Sequence, residues 1–392
     1  MNKNKPLILS ALTFTLGLSA LTAALAQGGS TVKVGVIMPT SGVYTQLGEE
    51  GMKGFNLYMD SVGRKVAGKT IQVIQEDEEA DPAVAVRKAN KLINNDKVDI
   101  LAGVVLAPSA YALSPIAAAA KTPLIVFNAA GNALTRDRKS PYVFRTSGTS
   151  WQYNNPFGTY VARKISKDVF LIGADYAFGR EFLADFKSSY TASGGKIAGE
   201  VYTPLGVSDF SPYLARIAAA KPGAVYVVLG GGDAVLFMKQ FAQFGLNKTT
   251  KLAVFGDVTD ESLLGAEGDA TLGVINALTW AVDAPGEQNA LFVNSYKAKY
   301  KNLPGIYAER GWDLARTIVE ALKKTKGNVS DTPALLSAIR GVNFASPRGP
   351  FRFDPETQNV INPVYVREVV RGPDGLYNKT VIKLGNFKDP GK

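Results

Sequence analysis

The chain of 392 residues contains no cysteine and no histidine. Without cysteine there are no disulfides, no thiol nucleophile, no thiolate metal site and no lipid on an N-terminal cysteine. Without histidine the usual general base is missing, and so is the one side chain whose ordinary pKa lies near neutrality. pH gating of ligand release is therefore not expected. No GxSxG elbow occurs, and Gly230-Gly231-Gly232 is not followed by GxxxxGK[ST] or GxGxxG. These glycines read as room for a ligand or a close backbone approach, not as a phosphate cradle. No spaced acid pair stands out, so the chain reads as a binder, not an enzyme. The formal charge is +10, but no basic run is longer than the pair Lys323-Lys324. Scattered lysines and arginines without a patch argue against nucleic-acid binding.

Long apolar runs are also scarce. The one present, Leu7 to Leu25, follows Lys3 and Lys5 and closes on Ala24-Leu25-Ala26. That order describes a secretory signal peptide over residues 1–26, cleaved near Ala26; an uncleaved anchor is the alternative. Nothing later approaches the ~18 apolar residues that a membrane span needs. An exported chain without a lipid anchor stays near its cell only inside a periplasm, which is the expected location, with free secretion as the alternative.

Strand and helix patterns alternate from residue 31 onward. Val32 to Met38 is an apolar strand, a Pro39 to Gly42 loop follows, and Met52, Phe55, Met59 and Val62 fall on one helix face. Asp81-Pro82 starts the next helix, with an N-cap carboxylate and proline at the first turn. Strands at 98–104 and 123–127 complete a first α/β set. A second set runs from a helix at 156–165 to a strand at 251–256. Helices at 287–300, 307–325 and 332–340 and a β-rich tail come last. The fold class is α/β, with two doubly wound lobes. The economical division is 31–150 plus 281–357 for the first lobe and 151–280 plus 358–392 for the second. Three chain crossings then make a hinge.

Six stretches carry a resemblance: VKVGVIMPTSGVYTQLGEEGMKGFNLYMD, the acidic run through Asp81-Pro82, PLIVFNAAGNALTRD, PYVFRTSG, ADYAFGREF and SPRGPFRFDPETQN. Together they resemble the type I periplasmic solute-binding proteins of ABC importers, of the branched-chain-amino-acid-binding type. The resemblance implies two lobes that close on a solute. It places first-lobe contacts at Ser41 to Leu47, including Tyr44 and Leu47. A loop at Leu106, Ala107 and Ser109 is placed at the ligand carboxylate, and one at Asn128, Ala129 and Gly131 supplies carbonyl and hydroxyl contacts. From the second lobe it implies an aromatic wall at Tyr176 and Phe178, a loop at Gly230 and Gly231, and the acid for an amino group near Asp257-Val258. An apolar contact falls at Tyr307.

The pattern departs from an amino-acid binder at three places. Ala107 stands for a serine, Gly131 for a threonine and Val258 for the glutamate, although a slip of one residue restores an acid at Asp257. Aromatic residues are plentiful around the expected cleft: Tyr44, Trp151, Tyr153, Tyr176, Phe178 and Tyr307. The resemblance therefore leans toward members that bind aromatic or similar apolar carboxylates, with an amino acid or amide as the next choice. Trp151 is favoured over Tyr153 as a ligand contact, although either ring can simply pack the hinge. Ser109 either meets an anion or caps a helix, and Arg145 reads as a structural ion-pair partner. The acids Glu76 to Asp81 read as a solvated strand end, not a metal site.

The expected partners are a small-molecule solute and the transmembrane subunits of an ABC permease. The chain would meet the membrane only through the permease, as a monomer and with no cofactor. A sensory module that hands its closed form to a chemoreceptor or kinase is the alternative from another class.

Overall fold

The computed structural model describes residues 31–391, together with Met1. The rest of the expected signal peptide lies outside the described residues. The first α/β set comprises β1 (Thr31–Ile37), α1 (Thr45–Ser61), β2 (Lys65–Val66), β3 (Lys69–Glu76), α2 (Pro82–Asn94), β4 (Ile100–Gly103), α3 (Ala107–Ala120), β5 (Leu124–Val126) and β6 (Val143–Arg145). These strands form one sheet in the order β2-β3-β1-β4-β5-β6, parallel except for β2. The strand order turns back at β1, so the loops after β1 and β4 open a crevice at their carboxyl ends.

The second set comprises α4 (Ser150–Lys164), β7 (Asp168–Ala174), α5 (Ala177–Ala192), β8 (Lys196–Thr203), α6 (Ser211–Ala220), β9 (Ala224–Val228), α7 (Gly231–Gln243), β10 (Lys251–Phe255), α8 (Glu261–Glu267) and β11 (Ile275–Leu278). Three helices follow, α9 (Glu287–Tyr300), α10 (Ile306–Lys324) and α11 (Thr332–Arg340). The chain ends with β12 (Asn343–Ser346), β13 (Gly349–Arg352), β14 (Asn362–Gly372) and β15 (Gly375–Phe387). The second sheet runs β15-β14-β11-β10-β9-β7-β8, so the tail adds an antiparallel hairpin to its edge.

Helices α9 and α10 return to the first sheet. Leu314, Ile318 and Leu322 lie four residues apart on one buried face of α10. Trp312 meets Tyr58 of α1 edge-on at 5.0 Å, and the Tyr300 hydroxyl donates to the Lys53 carbonyl at 3.1 Å. The chain crossings lie side by side: the Arg145 amide donates to Gln358 O at 3.1 Å and the Val360 amide to Arg145 O at 3.2 Å. Arg348 pins them. It makes a bidentate pair with Glu309 at 2.9 Å, approaches Asp313 to 3.1 Å, and donates to Thr146 O and to Asn362 Oδ1.

One helix differs clearly from the sequence expectation. Helix α4 begins at Ser150, not at Pro156, because Thr149 and Gln152 form a reciprocal capping box: the Gln152 amide donates to Thr149 Oγ1 at 3.1 Å and the Thr149 amide to Gln152 Oε1 at 2.9 Å. Pro156 is carried inside the helix. The short β2 and β6, and α8 and β11 between Gly256 and Trp280, were not anticipated either. Among the described residues no helix is long and apolar enough to cross a membrane.

Candidate ligand-binding cleft

A narrow cavity lies between the two sheets, at the carboxyl ends of their parallel strands. The first sheet contributes Tyr44 and Leu47 after β1, Val105 and Ala107 after β4, and Asn128, Ala130 and Gly131 after β5. The second contributes Tyr176, Phe178 and Phe182 after β7, Gly230 after β9, Phe255 at the end of β10 and Asp257 after it. Tyr153 of α4 and Tyr307 and Arg310 of α10 complete the lining.

The second-sheet side is a wall of rings. Phe182 lies 4.6 Å from Phe178 and 4.7 Å from Phe255 between centroids, and Tyr153 meets Phe255 edge-on at 5.5 Å. Such offset and edge-on contacts pack the rings against one another whether or not a ligand is bound. Tyr44 and Tyr176 close the gap between the sheets, with their hydroxyl oxygens 2.5 Å apart. Burial holds both phenols well above the ordinary tyrosine pKa, so they stay neutral. Next to them Gly231 has a φ of +57°, and a Cβ there would stand 2.4 Å from the Val43 carbonyl oxygen. Only glycine allows that approach.

The polar part of the cavity is a buried pair of opposite charges. Arg310 lies 3.6 Å from Asp257, donates to the Asn128 side-chain oxygen and to the Tyr153 hydroxyl, and sits 5.3 Å from the Tyr307 ring centroid. Tyr307 donates its hydroxyl to Asp257. Burial works against the Arg310 charge, but Tyr153 and Asp257 outweigh it and hold its pKa above the ordinary arginine value. Burial raises Asp257, against the opposing pull of Arg310 and Tyr307. Among the described residues, Nε of Arg310 and Oδ1 of Asp257 are buried without a hydrogen-bond partner. One donor and one acceptor among the cavity-lining side chains are thus unsatisfied within the protein.

Of the residues proposed from sequence, Tyr44, Leu47, Ala107, Asn128, Gly131, Tyr176, Phe178, Gly230, Asp257 and Tyr307 line this cavity, and five do not. Leu106 is buried as the residue before α3, and its amide donates to Glu78 at 3.1 Å. Ser109 is buried near Glu78, and its hydroxyl makes no hydrogen bond among the described residues. The Ala129 carbonyl accepts from Arg145 at 3.2 Å. Gly231 serves the approach to Val43, and Trp151 sits half-buried beside Asn132, whose side chain accepts from its amide at 3.1 Å. The preference for Trp151 over Tyr153 is therefore reversed. The earlier start of α4 turns Tyr153, two positions on, toward the cavity.

Two other readings change. Arg145 is structural, yet its hydrogen bonds go to neutral groups, Asn359 at 2.6 Å and Gly131 O at 2.6 Å among them. Burial lowers its pKa to about 10. Within the acidic run, Glu76 pairs with Lys88 and Lys91, and Asp81 caps α2 as expected. Glu78, however, is fully buried and accepts from the Val105 amide at 2.7 Å. Burial pushes it up to about 7, against the Val105 and Leu106 amides, which favour the anion. A group titrating near neutrality thus exists in a chain without histidine. Arg310 was missed outright. Its one sequence signal was a charged residue three positions after Tyr307, and most such residues on a helix face water.

Facing α/β sheets with a ring-lined, charge-containing cleft between them define a two-lobed solute-binding protein. The chain belongs to the Periplasmic binding protein family, whose model matches residues 31–374. It is 34% identical over 379 residues to Leu/Ile/Val-binding protein homolog 6 of Brucella melitensis biotype 1, covering 94% of this chain and 95% of the relative. Among solved structures it resembles an ABC-transporter solute-binding protein of Rhodopseudomonas palustris BisB5 in complex with 3,4-dihydroxybenzoic acid. That match has a TM-score of 0.88 and 40% identity, and covers 93% of this chain and 99% of the other. A second R. palustris solute-binding protein, in complex with benzoate, matches with a TM-score of 0.87 and 32% identity over 92% and 98% of the two chains.

Proposed function

We propose that this chain is the periplasmic solute-binding component of an ABC importer and captures a small aromatic carboxylic acid by cleft closure. The observation that carries the reading is the pairing of a preformed ring wall with a buried arginine whose Nε lacks a partner. A planar ring gains area against Phe178, Phe182 and Phe255, and its carboxylate meets Arg310 in a dry site where a charged hydrogen bond is strongest. The amides of Val105 and Leu106 are already taken by Glu78, which leaves Arg310 as the charged donor for an anion. The relatives in complex with benzoate and dihydroxybenzoate support this chemistry.

In this reading the lobes are 31–150 with 281–357 and 151–280 with 358–392, the leader is removed near Ala26, and the closed form is delivered to the permease. No catalytic step is involved. A branched-chain amino acid is the second reading, favoured by the Brucella relative and by the unpaired oxygen of Asp257, which suits an ammonium group. Thermal-shift titration separates the two. Benzoate and 4-hydroxybenzoate raising the melting temperature while leucine leaves it unchanged is the expected result, and the opposite ranking overturns the proposal.

A further inference from the structure

Helix α10 brings Tyr307 and Arg310 to the cleft, yet its own first turn has no local side-chain cap, since Gly305 stands at the N-cap position. The cap comes from the other side. Asp260 is fully buried at the N-cap of α8, where Oδ1 accepts from the Ser262 amide at 3.1 Å and the Ser262 hydroxyl at 2.7 Å. Its second oxygen, Oδ2, accepts from the Ile306 amide at 2.7 Å. One carboxylate therefore caps two helices. Helix α8 follows β10 of the second sheet and packs on α7 and β15, whereas α10 lies against α1 of the first. The Asp260–Ile306 bond crosses from one lobe to the other beside the cavity, between Asp257 and Tyr307.

The space at this crossing is matched on both sides. A Cβ on Gly305 would stand 2.0 Å from Asp260 Oδ1, so any larger residue there would push the carboxylate away. The backbone of Gly305, at φ −94°, is one that any residue adopts, so packing and not conformation requires glycine.

We infer that Asp260 is a positioning residue that latches the closed lobes, seating Tyr307 and Arg310 of α10 against Asp257. The inference rests on the cleft-closure reading above. The latch is made of protein groups alone, so it biases the open–closed equilibrium with or without solute. A carboxylate at a helix N-terminus also meets the positive end of the dipole, here of two helices at once. When the lobes part, Asp260 keeps α8 and the α10 amide returns to water.

The test uses the full mature chain. Asp260→Ser keeps an N-cap hydroxyl for α8 but is too short to reach Ile306. Gly305→Ala leaves Asp260 in place and blocks the contact from the other side. Solution scattering without solute is expected to give a larger radius of gyration for each variant than for the native chain, with no further increase in the double variant. Equal radii, or additive increases, overturn the latch. With 4-hydroxybenzoate as the probe, each variant is expected to release it about tenfold faster, with an association rate changed less than about twofold. Unchanged release also overturns the latch. If the native chain binds neither 4-hydroxybenzoate nor benzoate, the solute assignment fails, and the scattering comparison still decides the latch.

Discussion

Arg310 and Arg348 are both fully buried, carried by elements that meet near the lobe boundary, and they are satisfied very differently. Arg348 at the hinge has a bidentate carboxylate, a second acid, two backbone carbonyls and an amide oxygen around it. Arg310 in the cleft has one carboxylate at 3.6 Å, a side-chain oxygen and a hydroxyl, and its Nε is unpartnered. Burying a guanidinium is costly unless its donors are filled. The hinge arginine meets that cost within the protein and acts as a pin. The cleft arginine leaves its Nε unsatisfied within the protein. Under the function proposed above, incomplete satisfaction of a buried charge on a cavity wall separates a binding group from a structural one, where residue type and burial do not.

The largest effect that can break this comparison is at the hinge. Arg348→Met leaves Glu309 and Asp313 buried without their cation and is expected to cost about 3–5 kcal/mol in chemical denaturation. A loss below about 1 kcal/mol would remove the distinction.

The buried carboxylates sharpen the same contrast. Glu309 is paired by Arg348, while Glu78 beside the cleft accepts only neutral donors, and Asp77, Tyr44 and Tyr176 are the titratable groups that act on it or feel its charge. With its pKa raised from 4.5 to about 7, the native state holds a proton that the unfolded chain has released. The stability from this group is complete below pH 4.5 and is lost as the pH rises through about 7, a change of about 3 kcal/mol. Glu261, also raised to about 7, acts in the same window, so the readout is the difference between the native chain and Glu78→Gln. The stability of the native chain relative to the variant should fall by about 3 kcal/mol from pH 4.5 to pH 7, and a constant difference would count against the assignment.

At the cleft, Arg310→Met is expected to weaken 4-hydroxybenzoate binding about 100-fold by calorimetry while costing less stability than Arg348→Met. Similar destabilisation by both variants would show that Arg310 is a second pin. The smallest effect is at the lip. Tyr44→Phe removes the hydroxyl paired with Tyr176 and is expected to weaken the same solute about fivefold. An unchanged affinity would limit Tyr44 to covering the sheet edge.

Much of this protein is legible along the chain because its signals are local. β-branched runs such as Val32 to Ile37, the Asp81-Pro82 cap and the alternation of strands and helices act over a few residues. The ring wall was partly legible too, at Tyr176 and Phe178. Phe182 and Phe255 were not, because at each position a core ring has the same sequence pattern as a cleft ring. The start of α4 was obscured by Pro156, which outweighed the Thr149–Gln152 capping box.

By itself the sequence determined the α/β class, the restart of the pattern that makes two lobes, the absence of thiol and imidazole chemistry, and the loops that could face a ligand. All of these follow from composition and short-range periodicity. Only the tertiary structure decided which residues of those loops meet. It turned Tyr153 inward and Trp151 aside, filled the Val105 and Leu106 amides with Glu78, set Arg310 against Asp257, and joined Asp260 of α8 to the first turn of α10. Each of these rests on groups brought together from distant parts of the chain or on desolvation, which no local pattern encodes.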